Sequence, residues 1–434
     1  MGESYRCSAP VMAHPETVSD PTGEQQTPRH PVLRVVWIVV IALALTLSSV
    51  TGFSLGQAFA DRGTEPVSVV VGTWMRDHGL GPLVAQLETF YYQKVKPPEI
   101  GGAPDVSADL GEDDTTASPA PSALPTELPT AAPTSTPSPS STAAHLAPPP
   151  NIVSPADDPQ PMEGVWQPVG SKVAGQRAMY ATRVRADDVH TKYYATALWI
   201  DPTLARAMYI PGYEEPSAGP NPYDGALPKE LWPLILANTN GAFRLEGSQG
   251  GYIYDGDVIK PMTKGRATAV ITADGALHIG KWGRDFDTGD DVVVARQNLN
   301  LIVDKGESKV ASSTDNIVWG ATTDKESLAW RSAIGERADG SLVYVIGEYL
   351  SAAGLADTLV RAGVERAMVL DMNLYWSAGF TFRHKKDGTP VCRKLDPAIS
   401  DDCNRFLNRY KRDSFQFLAR SPIGASPTYS STTP

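Results

Sequence analysis

The sequence predicts an α/β domain, a mixed sheet with hairpins and a β-hairpin-α-β unit, and three observations carry that prediction. Asp-Gly pairs stand between alternating apolar segments at Asp255-Gly256, Asp274-Gly275 and Asp339-Gly340, a strong short-range hairpin signal. The last of these hairpins, WRSAIGERADGSLVYVIGEY, runs into LSAAGLADTLVRAGVE, a helical stretch that Gly363 should stop. A short apolar strand, Ala367 to Leu370, then ends on an acid, Asp371. The outer ends of strands are where α/β folds bind ligands, so Asp371 is the first residue to read as functional.

Ahead of that domain the chain is organised in blocks. Residues 1–34 are polar, with scattered prolines and no periodicity, and read as a disordered tail. Residues 35–55 are an uncharged apolar run of the ~20 residues that span a bilayer core. Arg29 and Arg34 before it and Asp61 after it favour a cytoplasmic N-terminus and an exported remainder. The long polar segment ahead of the run suits an uncleaved anchor, whereas Ala58-Phe59-Ala60 fits a cleaved signal peptide.

Residues 56–98 hold a membrane-proximal helical segment. Val67, Val70, Val71 and Trp74 are spaced for one short amphipathic helix; Leu83, Leu87, Phe90 and Tyr91 are spaced for a second, which Pro82 could open. Residues 99–161 are rich in Pro, Ser, Thr and Ala and read as a semi-extended spacer. The globular domain is expected over residues 162–420, with a polar tail over 421–434.

Composition removes several function classes. The net charge of −11 and the lack of a basic stretch interleaved with aromatics exclude a nucleic-acid footprint. Of three cysteines, Cys7 lies before the apolar run, while Cys392 and Cys403 are the only two after it and are expected to pair as a disulfide. There is no His-Glu-x-x-His helix, Gly-x-Ser-x-Gly elbow or Walker loop. His190, His278 and His384 read as surface or hairpin residues, and the acidic run Asp285, Asp287, Asp290 and Asp291 lacks EF-hand spacing. No metal or cofactor is implied.

Several segments together resemble the phosphodiester glycosidase family. They are ILANTNGAF, GRATAVITADG, RQNLNLIVDKG, WRSAIGERADGSL and AMVLDMN, in family order, within roughly Gln167 to Ala419. The resemblance implies cleavage of sugar 1-phosphodiesters at the glycosidic bond. That chemistry needs cations for the phosphate and a carboxylate near the anomeric carbon. Asp371 is the implied base or nucleophile and Arg331 and Arg266 the phosphate grips. Glu246 is the best second carboxylate, and Asn240, Ser332 and Asn373 are candidates for the sugar hydroxyls.

Three departures from the family pattern stand out: Ala242 for a glycine, Ser332 for threonine, and Met372-Asn373-Leu374 for a glycine run. Tyr375 and Trp376 could stack on a sugar or fill the space those glycines vacate. The sequence therefore supports a membrane-anchored, extracytoplasmic hydrolase whose partner is a phosphosugar or envelope glycan. The alternative is a non-catalytic envelope domain of the same fold that binds glycan or protein.

Overall fold

The computed structural model describes residues 31–60, 62, 65–91, 94, 97–110, 145–288, 291–310, 316–319, 328–400 and 402–420. Residues 1–30 of the expected N-terminal tail, with Cys7, the middle of the Pro-rich stretch, Asp290 and the C-terminal tail lie outside them. The chain divides into two units, Met1–Asp77 and His78–Pro434.

In the first unit, helix Pro31–Ala60 runs for 30 residues, and its Val35–Ala60 portion is long and apolar enough to cross a membrane. The same length and composition suit a signal sequence, so both sequence-based readings stand. Helix Val67–Met75 follows, and Trp74 Nε1 donates to Ser54 Oγ at 3.0 Å. In the second unit helix Gly81–Phe90 opens with proline in its first turn, as expected from Pro82.

Three antiparallel sheets of five or more strands build the domain, beside the two-stranded pair Lys172–Val173 and Gln176–Arg177. The eight-stranded sheet has at its centre Tyr194–Ile200, Leu342–Leu350, Ala329–Arg337 and Val364–Val369. One five-stranded sheet runs Leu277–Lys281, Ala267–Thr272, Val292–Gln297, Tyr252–Tyr254, Asp257–Lys260. The other runs Pro390–Lys394, Gly379–His384, Ile235–Asn240, Ser414–Ala419, Ala205–Ile210. All three Asp-Gly pairs turn hairpins; Gly256, Gly275 and Gly340 take φ of 79°, 78° and 81°, which glycine adopts without strain.

Alternation along strand Leu342–Leu350 sorts the core into two layers. Leu342, Tyr344 and Ile346 face a large cluster with Leu236, Phe380 and Phe417 of one five-stranded sheet and Ile271 and Ile279 of the other. Val343 and Val345 face the opposite way, onto helix Ala352–Arg361. That helix buries Ala352, Leu355, Ala356 and Leu359, an i, i+3, i+4, i+7 stripe. Ser351 caps its start by accepting the Gly354 N–H at 2.9 Å, and Gly363 follows it at φ 78°.

The domain begins earlier than its composition implies. The Gln167 side chain accepts from Leu110 N–H at 2.9 Å and donates to Ala108 O at 3.0 Å. Arg183 Nη1 donates to Ser107 O at 2.6 Å, and Leu110 is buried in the main cluster. On the far side of the Pro-rich stretch, Leu146 N–H donates to Asp201 at 2.8 Å and Ile152 is buried. Residues 99–110 and 145–161, expected as spacer, are therefore held on the domain. Proline-rich composition cannot reveal backbone groups that a distant Gln and Arg will satisfy.

Cys392 and Cys403 form a disulfide, with Cα atoms 5.9 Å apart. It closes a loop with a sequence separation of 11, which constrains the unfolded chain by ~3 kcal/mol in the chain-entropy model. Replacing both cysteines by serine is expected to lower the unfolding free energy of the second unit by about that amount. Urea denaturation read by circular dichroism checks this, and an unchanged midpoint would count against a structural role.

Candidate active site

The ladder between strands Ala329–Arg337 and Val364–Val369 continues past its last paired residues to Asp371. Leu370 N–H donates to Ser332 O and Ser332 N–H donates to Asp371 O, each at 2.8 Å. Ser332 Oγ accepts from Asp371 N–H at 3.2 Å and lies 3.3 Å from Asp371 O; Ser377 Oγ donates to the same carbonyl at 3.2 Å. The Asp371 backbone is thus fixed on both sides. Its carboxylate, in a residue 5% exposed, accepts Met372 N–H at 2.8 Å on Oδ1 and Arg412 Nη2 at 3.2 Å on Oδ2.

Strand Ile235–Asn240 brings Asn240 to the same place. Its N–H donates to Ala378 O at 2.9 Å, while its Oδ1 accepts Ala378 N–H at 3.1 Å and Tyr344 OH at 2.8 Å. Burial keeps the Tyr344 phenol well above its usual pKa; the Asp371 and Asp396 carboxylates push the same way, against Ser332 and Arg405. Tyr344 is therefore a neutral donor that bridges the eight-stranded sheet to Asn240.

Asp413 lies on the other side of this turn. Its Cγ would be 2.4 Å from a Cβ at Gly241, so only glycine fits there. Asp413 Oδ2 accepts Arg296 Nε at 2.9 Å and Tyr209 OH at 2.7 Å, and Arg296 spends its other donors on Gln297 O and Phe243 O at 2.9 and 2.6 Å. Burial opposes the Arg296 charge, but Asp413 outweighs it and holds the guanidinium protonated.

Of the residues singled out from sequence, Asp371, Ser332 and Asn240 come together. Arg331 does not join them through its guanidinium, because successive strand residues face opposite ways and Ser332 takes the inner face. Arg331 Nε donates to Leu350 O at 2.8 Å, and Nη1 donates to Trp319 O at 3.2 Å and lies 3.9 Å from Met372 Sδ, on the helix side of the sheet. Asn373 Oδ1 accepts Tyr375 N–H at 2.8 Å and its carbonyl accepts Ser377 N–H at 3.0 Å, an Asx-type turn that carries the chain back to Ala378.

Met372, Asn373 and Leu374 are not among the positive-φ residues, so this turn uses no glycine conformation. Glu246 is exposed in helix Leu245–Ser248 and Arg266 is half-buried before strand Ala267–Thr272. Among the described residues no hydrogen bond or ion pair joins either side chain to the Asp371 cluster.

Sequence reasoning passed over Arg412, Asp413, Arg296, Tyr344 and Ser377. A signal existed for three of them. Arg296 interrupts the apolar run VVVA, and Lys411-Arg412-Asp413 abuts the apolar strand SFQFLA. Charges placed against strands buried on both faces must be paired.

A buried carboxylate at a strand end, with a guanidinium on one oxygen and hydroxyl and amide donors around it, defines a carboxylate-centred site. Residues 235–371 match the family model "Phosphodiester glycosidase", a stretch that opens on the Asn240 strand and closes on Asp371.

Among solved structures the chain is similar to the zebrafish N-acetylglucosamine-1-phosphodiester alpha-N-acetylglucosaminidase catalytic domain auto-inhibited by pro-peptide. The identity is 17% over 59% of this chain and 88% of that one, with a TM-score of 0.39. It is also similar to a hypothetical protein from Synechocystis, at 10% identity over 58% of this chain and 64% of that one, TM-score 0.31. No curated protein matches.

Two predictions follow from this geometry. Asp413→Asn leaves the Arg296 charge buried without its counterion, and the unfolding free energy should fall by about 3–5 kcal/mol in urea titration. A loss under about 1 kcal/mol would show that Arg296 finds another acceptor.

Asp396, 9% exposed, has its carboxyl pushed by burial up to about 6, with Glu348 adding to the rise and Arg183 and the Ala398 N–H opposing it. Because the folded state favours the protonated form, stability is greatest below the unfolded pKa and is lost as pH rises to the folded one. Asp396→Asn should therefore stabilise by about 3 kcal/mol near pH 7.5 and have almost no effect near pH 3.5. Thermal melts across that range test the slope.

Proposed function

We propose that the domain hydrolyses the glycosidic bond of sugar 1-phosphodiesters on envelope or exopolysaccharide glycans. The observation that carries this reading is Asp371, the last residue of the family-matching stretch, buried where three strands meet and held by Ser332, Ser377 and Arg412. The Met372 N–H on Oδ1 and the Arg412 guanidinium on Oδ2 fix the orientation of this carboxylate.

In hydrolysis, water oxygen bonds to C1, the C1–O bond to phosphorus breaks, and the phosphomonoester leaves with the electron pair. The water proton passes to Asp371 if it acts as base. If Asp371 is instead the nucleophile, a glycosyl ester forms first and water then cleaves it. The phosphate departs as a stable anion, so the demand for a general acid is small. Asn240 and Ser332, both buried with their side chains hydrogen-bonded within the domain, support the backbone around Asp371.

The N-terminal helix and the disulfide suit an extracytoplasmic domain held at a membrane. A second reading, a non-catalytic domain that binds glycan or protein, draws on the half-buried Met372 to Tyr375 turn that closes over Asp371.

Asp371→Asn separates the two. If the domain is an enzyme, the variant stays folded and loses roughly 10²–10⁴-fold in kcat for a sugar 1-phosphodiester, measured by release of the phosphomonoester. A parent protein without turnover, and a variant altered only in melting temperature, would leave the binding reading.

A further inference from the structure

We infer that Arg412, with Lys411 beside it on Trp376, forms the anion subsite that receives the phosphate of the substrate, a role that rests on the hydrolytic reading above. Nothing in the family-matching stretch assigns it, because that stretch ends at residue 371.

Charge distribution gives the first argument. The protein carries a net charge of −11, yet between Asn404 and Arg412 it holds Arg405, Arg409, Lys411 and Arg412 and no acid. Three of these gather at the turn after Asp371. Arg405 Nη1 donates to Tyr375 O at 2.5 Å, Lys411 Nζ lies 5.3 Å from the Trp376 ring centre, and Arg412 Cζ lies 4.8 Å from it. Arg412 faces the Asp371 carboxylate at 3.2 Å, while Asp413 is committed to Arg296. A segment of this cation density favours an anionic ligand near the turn.

The second argument is the unused donors of Arg412. Its side chain is 9% exposed and spends one N–H on Asp371. Among the described residues its Nε and Nη1 have no acceptor, and they are not sealed from solvent. A guanidinium nine-tenths buried, with free N–H groups, calls for an acceptor, and the planar fork matches a phosphate. Trp376, 8% exposed, supports the guanidinium plane from one side. Arg331 has no comparable capacity toward this face, because its donors point to Leu350 and Trp319 carbonyls behind the sheet.

Calorimetric titration of the full-length protein in detergent with glucose 1-phosphate tests the assignment. Arg412→Gln should weaken binding roughly tenfold or more, while Arg409→Gln, an exposed cation on the same segment, should leave it unchanged. Asp371→Asn should tighten binding roughly threefold or more, since the neighbouring carboxylate competes for the same guanidinium. A purely structural ion pair would not respond in that direction. If Arg412→Gln unfolds, the double variant with Asp371→Asn removes both charges together and is compared with Asp371→Asn; if Asp371→Asn unfolds, the double variant is compared with the parent.

The assignment is overturned by binding that survives Arg412→Gln within about twofold, by equal or weaker binding in Asp371→Asn, or by a parent that does not bind glucose 1-phosphate. Arg412-dependent binding without diester turnover sinks the hydrolytic reading and leaves the anion subsite standing. Diester turnover with kcat/KM unmoved by Arg412→Gln does the reverse.

Discussion

Two consecutive residues of opposite charge, Arg412 and Asp413, hold the site together. They precede strand Ser414–Ala419, and their side chains leave the chain toward different partners. Arg412 reaches Asp371 at the end of the eight-stranded sheet, and Asp413 reaches Arg296 in strand Val292–Gln297 of a five-stranded sheet. One peptide unit therefore ties three sheets at a single point. Gly241 is a condition of this arrangement, because the Asp413 carboxyl occupies the volume that any side chain there would need.

Buried ion pairs of this kind do not stabilise a fold more than apolar residues of the same volume would. Their effect is on geometry. An unpaired Arg296 inside the domain would be costly, so alternative registers of strand Ser414–Ala419 that separate it from Asp413 are disfavoured. A shift by one residue would exchange the faces of Arg412 and Asp413 and set cation against cation at Arg296. Tyr344 applies the same logic with neutral groups, fixing Asn240 to the sheet that carries Ser332.

What could be read in the sequence was what local chemistry decides. Three Asp-Gly turns, the capped helix Ala352–Arg361, the acid at the end of its following strand and the Cys392–Cys403 pair each depend on neighbours in the chain or on a simple count. What escaped was long-range. Asp371 was expected at the end of a strand in an α/β sheet, and it is there, but that strand is antiparallel to both neighbours. The direction of the Arg331 guanidinium depended on which face of its strand met the helix. The anchoring of residues 99–110 depended on Gln167 and Arg183, more than 50 residues onward along the chain.

The glycine-free turn after Asp371 acquires a different meaning once Arg412 is in view. A glycine run at a strand end offers backbone N–H groups to an anion at close range. Here three amides of the turn are engaged within the chain: Met372 N–H with the Asp371 carboxylate, Tyr375 N–H with Asn373 and Ser377 N–H with the Asn373 carbonyl. Among the described residues Arg412, which arrives from the far end of the domain, adds side-chain donors near Asp371 that have no acceptor. Under the proposed chemistry, loss of the glycines moves anion recognition from backbone amides to a guanidinium stacked on Trp376. A backbone nest is fixed by its turn, whereas a guanidinium is fixed by Asp371 and Trp376. Recognition and the carboxylate would then be coupled electrostatically, since the charge that binds the phosphate is the charge that faces Asp371.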